Sequence, residues 1–185
     1  MNLRPGVFLD RDGVLNRAVV RDKKPYPPAT IQELEILDGV AQACSTLSAA
    51  GAVLVMVTNQ PDIARGRISA EIVETINRFL CSALGLQAAY VCPHDDADGC
   101  TCRKPAPGLI LQSVHAYGID LARSVMVGDR WRDIAAGQLA GCRTVFVDYN
   151  YAEQKPAAPD FVCASLQDAL SFILSVINAD PRPGV

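Results

Sequence analysis

The chain has no apolar run near the roughly 20 residues that a membrane-crossing helix needs. Behind Met1 the sequence Met1-Asn2-Leu3-Arg4-Pro5-Gly6 enters a short apolar stretch that ends in acid. There is no long apolar region or small-residue cleavage pattern of a signal peptide, so a cytoplasmic location is expected. A basic excess is also missing. Seventeen Lys and Arg against twenty Asp and Glu leave a net charge of -3, which argues against nucleic acid and against an anionic membrane surface as partners. Histidine is scarce, with two residues in 185. His94 lies among cysteines and His115 falls in a helical pattern, so a Ser-His-Asp or phosphohistidine mechanism lacks its base. The single tryptophan, Trp131, is expected to pack at a helix start. Internal repeats are absent, and no segment is long enough for a separate cap domain. The length fits one domain over residues 1–185.

Short apolar runs alternate with helical patterns. Val7-Phe8-Leu9, Ala52 to Val57, Ala88 to Val91, Ser124 to Val127 and Thr144 to Val147 read as strands, the second apolar throughout as in a strand buried on both faces. Val40 to Ala50 is a helix stopped by Gly51. Ser69 caps another that ends at Gly85, with Ile72, Ile76, Phe79 and Leu80 expected on one face. Leu109 to Tyr117, Trp131 to Leu139 and Leu166 to Ile177 complete the helices. Strand-helix alternation predicts an α/β fold, a three-layer Rossmann-like parallel sheet with helices on both faces. Segments 17–28, 93–107 and 149–159 are expected to be irregular, and Pro183-Gly184 a frayed tail.

In such sheets the ligand site lies beyond the carboxyl ends of the strands. The residues found there are Asp10, Thr58, Cys92 and Asp129. Asp10 and Asp12 flank Arg11 on a turn opened by Gly13, so both carboxylates can face one point. Like charges that close need a cation, and Mg²⁺ accepts carboxylates together with phosphate oxygens. Asp129 would add a third carboxylate from a neighbouring strand end, with Asp133 one helical turn on. Taken singly, each Asp reads better as a turn former or a helix cap than as a chemical group. Their joint placement at strand ends favours chemistry.

Seven cysteines are an odd count for a disulfide framework. Cys44, Cys81, Cys142 and Cys163 lie in apolar or helical stretches and read as small hydrophobes. Cys92, His94, Cys100 and Cys102 fall within eleven residues and suit a closed, tetrahedral, structural Zn²⁺ site. It would pin a loop rich in Asp and Gly (Asp95, Asp96, Asp98, Gly99) and place Lys104.

Four segments in order carry a resemblance. Phe8-Leu9-Asp10-Arg11-Asp12-Gly13-Val14-Leu15-Asn16, Val57-Thr58-Asn59-Gln60, Cys102-Arg103-Lys104-Pro105 and Val127-Gly128-Asp129-Arg130-Trp131-Arg132-Asp133 resemble the motifs of haloacid dehalogenase-like (HAD) phosphatases. The resemblance implies the HAD fold without a cap domain. It implies Asp10 as covalent nucleophile and Asp12 as general acid and base. It implies Mg²⁺ on the Asp10 and Asp129 carboxylates and the Asp12 carbonyl, with Asp133 behind them. Thr58 would donate to the transferring phosphoryl group and Lys104 would neutralise it, with Asn59 beside them in the substrate site.

The cysteine loop before Arg103-Lys104-Pro105 resembles that of the D-glycero-D-manno-heptose-1,7-bisphosphate 7-phosphatases, and the histidinol-phosphate phosphatases share it. Asn59-Gln60 followed by Ile63-Ala64-Arg65-Gly66 is similar to the heptose enzymes. Pro61-Asp62 replaces a small Ser-Gly type pair, and Arg130 replaces the usual lysine. A bisphosphate needs a second anion site, for which Arg65, Arg67 and above all Arg103 are suited. Asn16 would reach sugar hydroxyls. The basic run Arg17, Arg21, Lys23 and Lys24 reads as a solvated flap, stiffened by Pro25, Pro27 and Pro28. A monomer acting on a small phosphorylated sugar is expected. The other readings are a receiver-like phospho-acceptor module and an inactive zinc-stabilised scaffold. The first has no need of an acid two residues past the acceptor, and the second has no need of Asp10, Asp12, Thr58, Lys104 and Asp129 together.

Overall fold

The computed structural model describes residues 3–21 and 24–179. Lys23 of the flap and the Pro183-Gly184 tail lie outside the described residues. Six strands form one sheet: β1 (Arg4–Leu9), β4 (Val53–Asn59), β5 (Ala88–Cys92), β6 (Ile119–Gly128), β7 (Arg143–Val147) and β8 (Phe161–Cys163). Their order is β5-β4-β1-β6-β7-β8, and every neighbouring pair is parallel. The chain steps outward from β1 to β4 and β5, then returns to the other side of β1 with β6. That reversal opens a crevice at the carboxyl ends of β1 and β6.

Alternation along the strands builds two cores. Val7, Leu9, Leu54, Met56, Val125 and Val127 face one side. They meet α1 (Val40–Ala49), α2 (Ala70–Leu84) and α5 (Leu170–Ile177) through Leu47, Leu80 and Ile173. Phe8, Val53, Val55, Val57 and Met126 face the other. They meet α3 (Gly108–Tyr117) and α4 (Trp131–Ala140) through Ile110 and Ala136.

Three expectations need correction. The buried stripe of α2 is Val73, Ile76, Asn77, Leu80 and Leu84, while Ile72 and Phe79 are 37% and 49% exposed. A polar residue inside the stripe hides its register: Asn77 is buried because its Oδ1 accepts a hydrogen bond from Arg11 Nη1 at 3.1 Å. The flap is not wholly irregular. β2 (Val19–Arg21) and β3 (Lys24–Tyr26) pair as an antiparallel hairpin, where Pro25 is tolerated because neither strand continues into a larger sheet. The last helix begins at Leu170 rather than Leu166, since β8 and a turn take up the preceding residues. Between β1 and α1 the described chain adds only this hairpin and the single turn Ile31–Glu33, so no cap covers the crevice.

Candidate active site

Asp10 leaves β1 with its N–H donating to Val127 O of β6 at 3.0 Å, so it stands at the crevice. The chain then folds on itself: Leu15 N and Asn16 N both donate to Arg11 O, at 2.9 and 3.1 Å. Gly13 has φ +89°, and a Cβ there would lie 2.1 Å from Asp129 Oδ2. Only glycine fits both the left-handed backbone and the approach of that carboxylate.

Lys104 ties the site together. Its buried ammonium lies 2.8 Å from Asp10 Oδ1 and 2.6 Å from Asp133 Oδ1, and donates to Val57 O at 2.7 Å. Its backbone is clamped by Asn59, whose Nδ2 donates to Lys104 O and whose Oδ1 accepts from Lys104 N, each at 3.0 Å. Asp133 is set by its own helix, where its Oδ2 accepts from Arg130 N at 3.0 Å as the capping box of α4.

Acid oxygens of Asp10, Asp129 and Asp133 lie within 4.8 Å of one another, all three residues buried. Neither carboxylate oxygen of Asp129 makes a hydrogen bond of ordinary geometry, although the Tyr151 phenol, pushed up by burial, lies close enough for the carboxylate to raise it further. Buried polar groups are rarely left so, because desolvation without a partner costs about 1–3 kcal/mol and more for a charge. The orphaned carboxylate, the adjacent acids and the oxygen-only donor set fit a hard divalent cation such as Mg²⁺. The electrostatics agree. Burial, then the Asp133 charge, raise Asp10 to about 6 against the pull of Lys104. Burial, then Asp10 and Asp133, push Asp129 well above the usual carboxylate range. Burial alone would lower Lys104, but Asp10 and Asp133 outweigh it and hold it protonated.

Asp12 is outside this acidic cluster. Its Oδ2 accepts from Arg11 Nη2 at 3.0 Å and Gln60 Nε2 at 2.9 Å, and its Oδ1 from Asn16 Nδ2 at 3.0 Å. Asn16 is fully buried on Asp12 and Arg17 O, so it supports the acid loop instead of reaching toward sugar hydroxyls. Gln60 Nε2 also donates to Thr58 Oγ1 at 3.0 Å.

An open pocket of about 230 Å³ lies over these groups. Pro25, Tyr26 and Pro27 of the hairpin form one wall. Arg65, Arg103, Arg130 and Arg132 stand around the rim. Arg67 lies away from it, 61% exposed and 3.4 Å from Asp62. Asp62, one of the two departures after Gln60, thus takes up both Arg65 and Arg67. Arg130, the other, donates through Nε and Nη2 to both carboxylate oxygens of Glu153. Of the flap cations, Arg17 pairs with Glu35 at 2.9 Å in solvent. His115 is exposed on α3, away from the pocket. Trp131 opens α4, with the Arg132 guanidinium 4.9 Å over its ring.

Cys92, His94, Cys100 and Cys102 also converge, their ligand atoms within 4.8 Å. The three sulfur pairs are 3.3 to 3.6 Å apart, and His94 Nδ1 is 3.4 Å from Cys102 Sγ. These spacings exclude disulfides and sit near the edges of about 3.8 Å of a zinc-thiolate tetrahedron. Burial raises Cys100, but hydrogen bonds from Cys102, the Arg103 backbone and Cys92 outweigh it and bring the thiol to about 6. Four soft ligands so placed are able to hold a metal ion.

Sequence reasoning missed Arg11, Gln60, Arg132 and Glu153. Gln60 had a signal: two residues past Thr58 at a strand end, it returns to the same side of the sheet. Arg11, fully buried, had none beyond lying between two acids.

The comparisons agree with this geometry. The HAD-hyrolase-like family model matches residues 101–169. The D-glycero-beta-D-manno-heptose-1,7-bisphosphate 7-phosphatase of Vibrio cholerae is 35% identical over 94% of this chain and 98% of its own. The Escherichia coli K12 enzyme of that name is 34% identical over 89% and 91%. A crystal structure of the D,D-heptose 1,7-bisphosphate phosphatase of B. bronchiseptica, complexed with magnesium and phosphate, superposes with a TM-score of 0.78. It is 32% identical and covers 92% of this chain and 98% of that one. With full-length likeness at this identity and all four motifs gathered at one crevice, the chain belongs to the heptose-1,7-bisphosphate 7-phosphatase family of HAD-like phosphatases.

Proposed function

We propose that this protein removes the 7-phosphate of D-glycero-D-manno-heptose 1,7-bisphosphate through an aspartyl-phosphate at Asp10. The observation that carries the reading is Lys104, buried and bridging Asp10 and Asp133 beneath an arginine-rimmed pocket and beside the orphaned Asp129. A carboxylate oxygen of Asp10 attacks phosphorus, and the bond from phosphorus to the sugar oxygen breaks. Asp12, at the pocket, gives its proton to the departing sugar oxygen. It then takes a proton from the water that cleaves the acyl-phosphate, which releases inorganic phosphate and restores Asp10. Gln60 donates to Thr58 Oγ1, so the Thr58 hydroxyl keeps its own hydrogen for a phosphoryl oxygen. Lys104 offsets charge on the phosphoryl group, the dominant requirement of this chemistry. Mg²⁺ on Asp10, Asp129 and the Asp12 carbonyl would screen the anionic nucleophile from the anionic substrate.

The Cys92, His94, Cys100 and Cys102 cluster holds zinc in a closed, structural role in this reading. Cys100→Ser is expected to lower Tm by about 5 °C or more while changing kcat less than about threefold. Equal Tm for both proteins with and without a chelator would sink the structural-metal assignment.

The direct test is phosphate release with Mg²⁺ from both anomers of heptose 1,7-bisphosphate, from histidinol phosphate and from an aryl phosphate. A kcat/KM for one heptose anomer at least about 100-fold above the other substrates supports the proposal. Preference for histidinol phosphate retains the mechanism and refutes the sugar.

A further inference from the structure

The four arginines at the pocket rim are not equally neutralised. Arg65 faces two acids: Nε and Nη2 each donate to Asp95 at 2.7 Å, and Nη1 lies 3.3 Å from Asp62. Arg130 has the whole Glu153 carboxylate. Arg103 and Arg132 share a single acid. Asp96 Oδ1 accepts from Arg103 Nε at 2.8 Å and from Arg132 Nη1 at 3.0 Å, and its Oδ2 accepts from Arg132 Nη2 at 3.3 Å.

Two cations on one carboxylate leave one positive charge of this trio without a paired acid. The donors are unmatched as well. A guanidinium has five N–H groups, and Asp96 takes one from Arg103 and two from Arg132. Arg103 is 12% exposed at its side chain, and its Nη1 is buried without a partner. The two side chains come from different elements, Arg103 from the segment after the metal cluster and Arg132 from the first turn of α4. Asp96, on the short turn between His94 and Cys100, brings them together. The Trp131 ring under the Arg132 guanidinium steadies it further.

We propose that Arg132 joins Arg103 to hold the second, non-reacting phosphate of the substrate, and that Asp96 is the positioning residue that aims both. The inference rests on the sugar-bisphosphatase reading. Paired guanidinium forks suit the three terminal oxygens of a phosphate monoester. Accepting from the donors that Asp96 leaves free, such a group would meet two cations that Asp96 has already oriented, so little side-chain entropy is lost on binding.

Steady-state kinetics on heptose 1,7-bisphosphate and on heptose 7-phosphate, which lacks the second phosphate, test this. The wild type should prefer the bisphosphate. Arg132→Gln should raise KM for the bisphosphate about tenfold and shrink the preference by the same factor, with kcat on that substrate within about threefold. Arg132→Lys, which keeps the charge and the fold of α4 but loses the fork, should fall between. Asp96→Asn should raise KM similarly while its metal content, measured on the purified protein, stays at the wild-type value. A preference that survives in Arg132→Gln overturns the inference. So does an equal fall in kcat on both substrates, which would mark disturbance of Asp133 on the same helix. A wild type without preference overturns the bisphosphatase reading itself, an outcome read before any variant is made.

Discussion

Asp10→Asn should lower kcat by about 10⁴-fold or more, about 5 kcal/mol in barrier, with the fold intact. The amide has nearly the shape of the carboxylate but is a poor nucleophile, so the route through a covalent phosphoryl-enzyme closes. Structure should persist because Lys104 keeps two of its three contacts, Asp133 at 2.6 Å and Val57 O at 2.7 Å. Asp10 is also a strained place for a negative charge: burial and Asp133 raise it to about 6. Removing that charge relieves repulsion with Asp129 and Asp133, so Tm should hold or rise. Two measurements check this. Rapid-quench mass spectrometry of the wild type should show one phosphoryl group on the Asp10 peptide, and the variant should show none. Turnover by the variant within tenfold of wild type would refute the covalent route and leave Asp10 a metal ligand only.

The crevice and the acids gathered at it were legible in the sequence because strand ends are legible. An apolar run that stops on Asp10, Thr58 or Asp129 marks both the end of a buried strand and the crevice where a parallel sheet opens. Clustered soft ligands at Cys92, His94, Cys100 and Cys102 were legible for a similar reason, since loop spacing alone brings them close. What escaped depends on partners far along the chain. Arg11 meets Asn77 across 66 residues, Asn59 clamps Lys104 across 45, and Glu153 meets Arg130 across 23. No local pattern announces such pairs. A buried guanidinium looks like a surface arginine until its acceptor is known, and a buried Asn breaks the apolar stripe by which α2 would be oriented. The β2–β3 hairpin escaped because Pro25 argues against strand. It is acceptable there because β3 has only one strand partner.

Asp129→Asn should separate stability from function in opposite directions. Asp129 is buried, neither of its oxygens makes a hydrogen bond of ordinary geometry, and burial with the nearby Asp10 and Asp133 charges pushes it well up. The sign follows from proton linkage. A carboxylate raised in the folded state binds a proton there that the unfolded chain releases from about pH 4 upward. The native state then holds more protons, and stability falls as pH rises through that window. In chelator, the wild type should therefore gain stability from pH 7 down toward pH 5, with Asp10 contributing below about 6. The variant keeps the volume and removes the charge, so it should be more stable than wild type in chelator at pH 7, by roughly 1–2 kcal/mol, with a shallower pH slope. Its Asn still lacks a partner, but an unpaired amide costs less to bury than an unpaired carboxylate. Mg²⁺ reverses the ranking. A ligand at 100 times its Kd stabilises the wild type by about 2.7 kcal/mol, and the variant, short of one hard oxygen anion, should show little of this shift and lose about 10³-fold or more in kcat. Thermal melts of both proteins in chelator and in Mg²⁺, at pH 5 and pH 7, measure every term. A variant less stable than wild type in chelator at pH 7, or one that keeps the full Mg²⁺ shift, would show that Asp129 serves packing and is not a cation ligand.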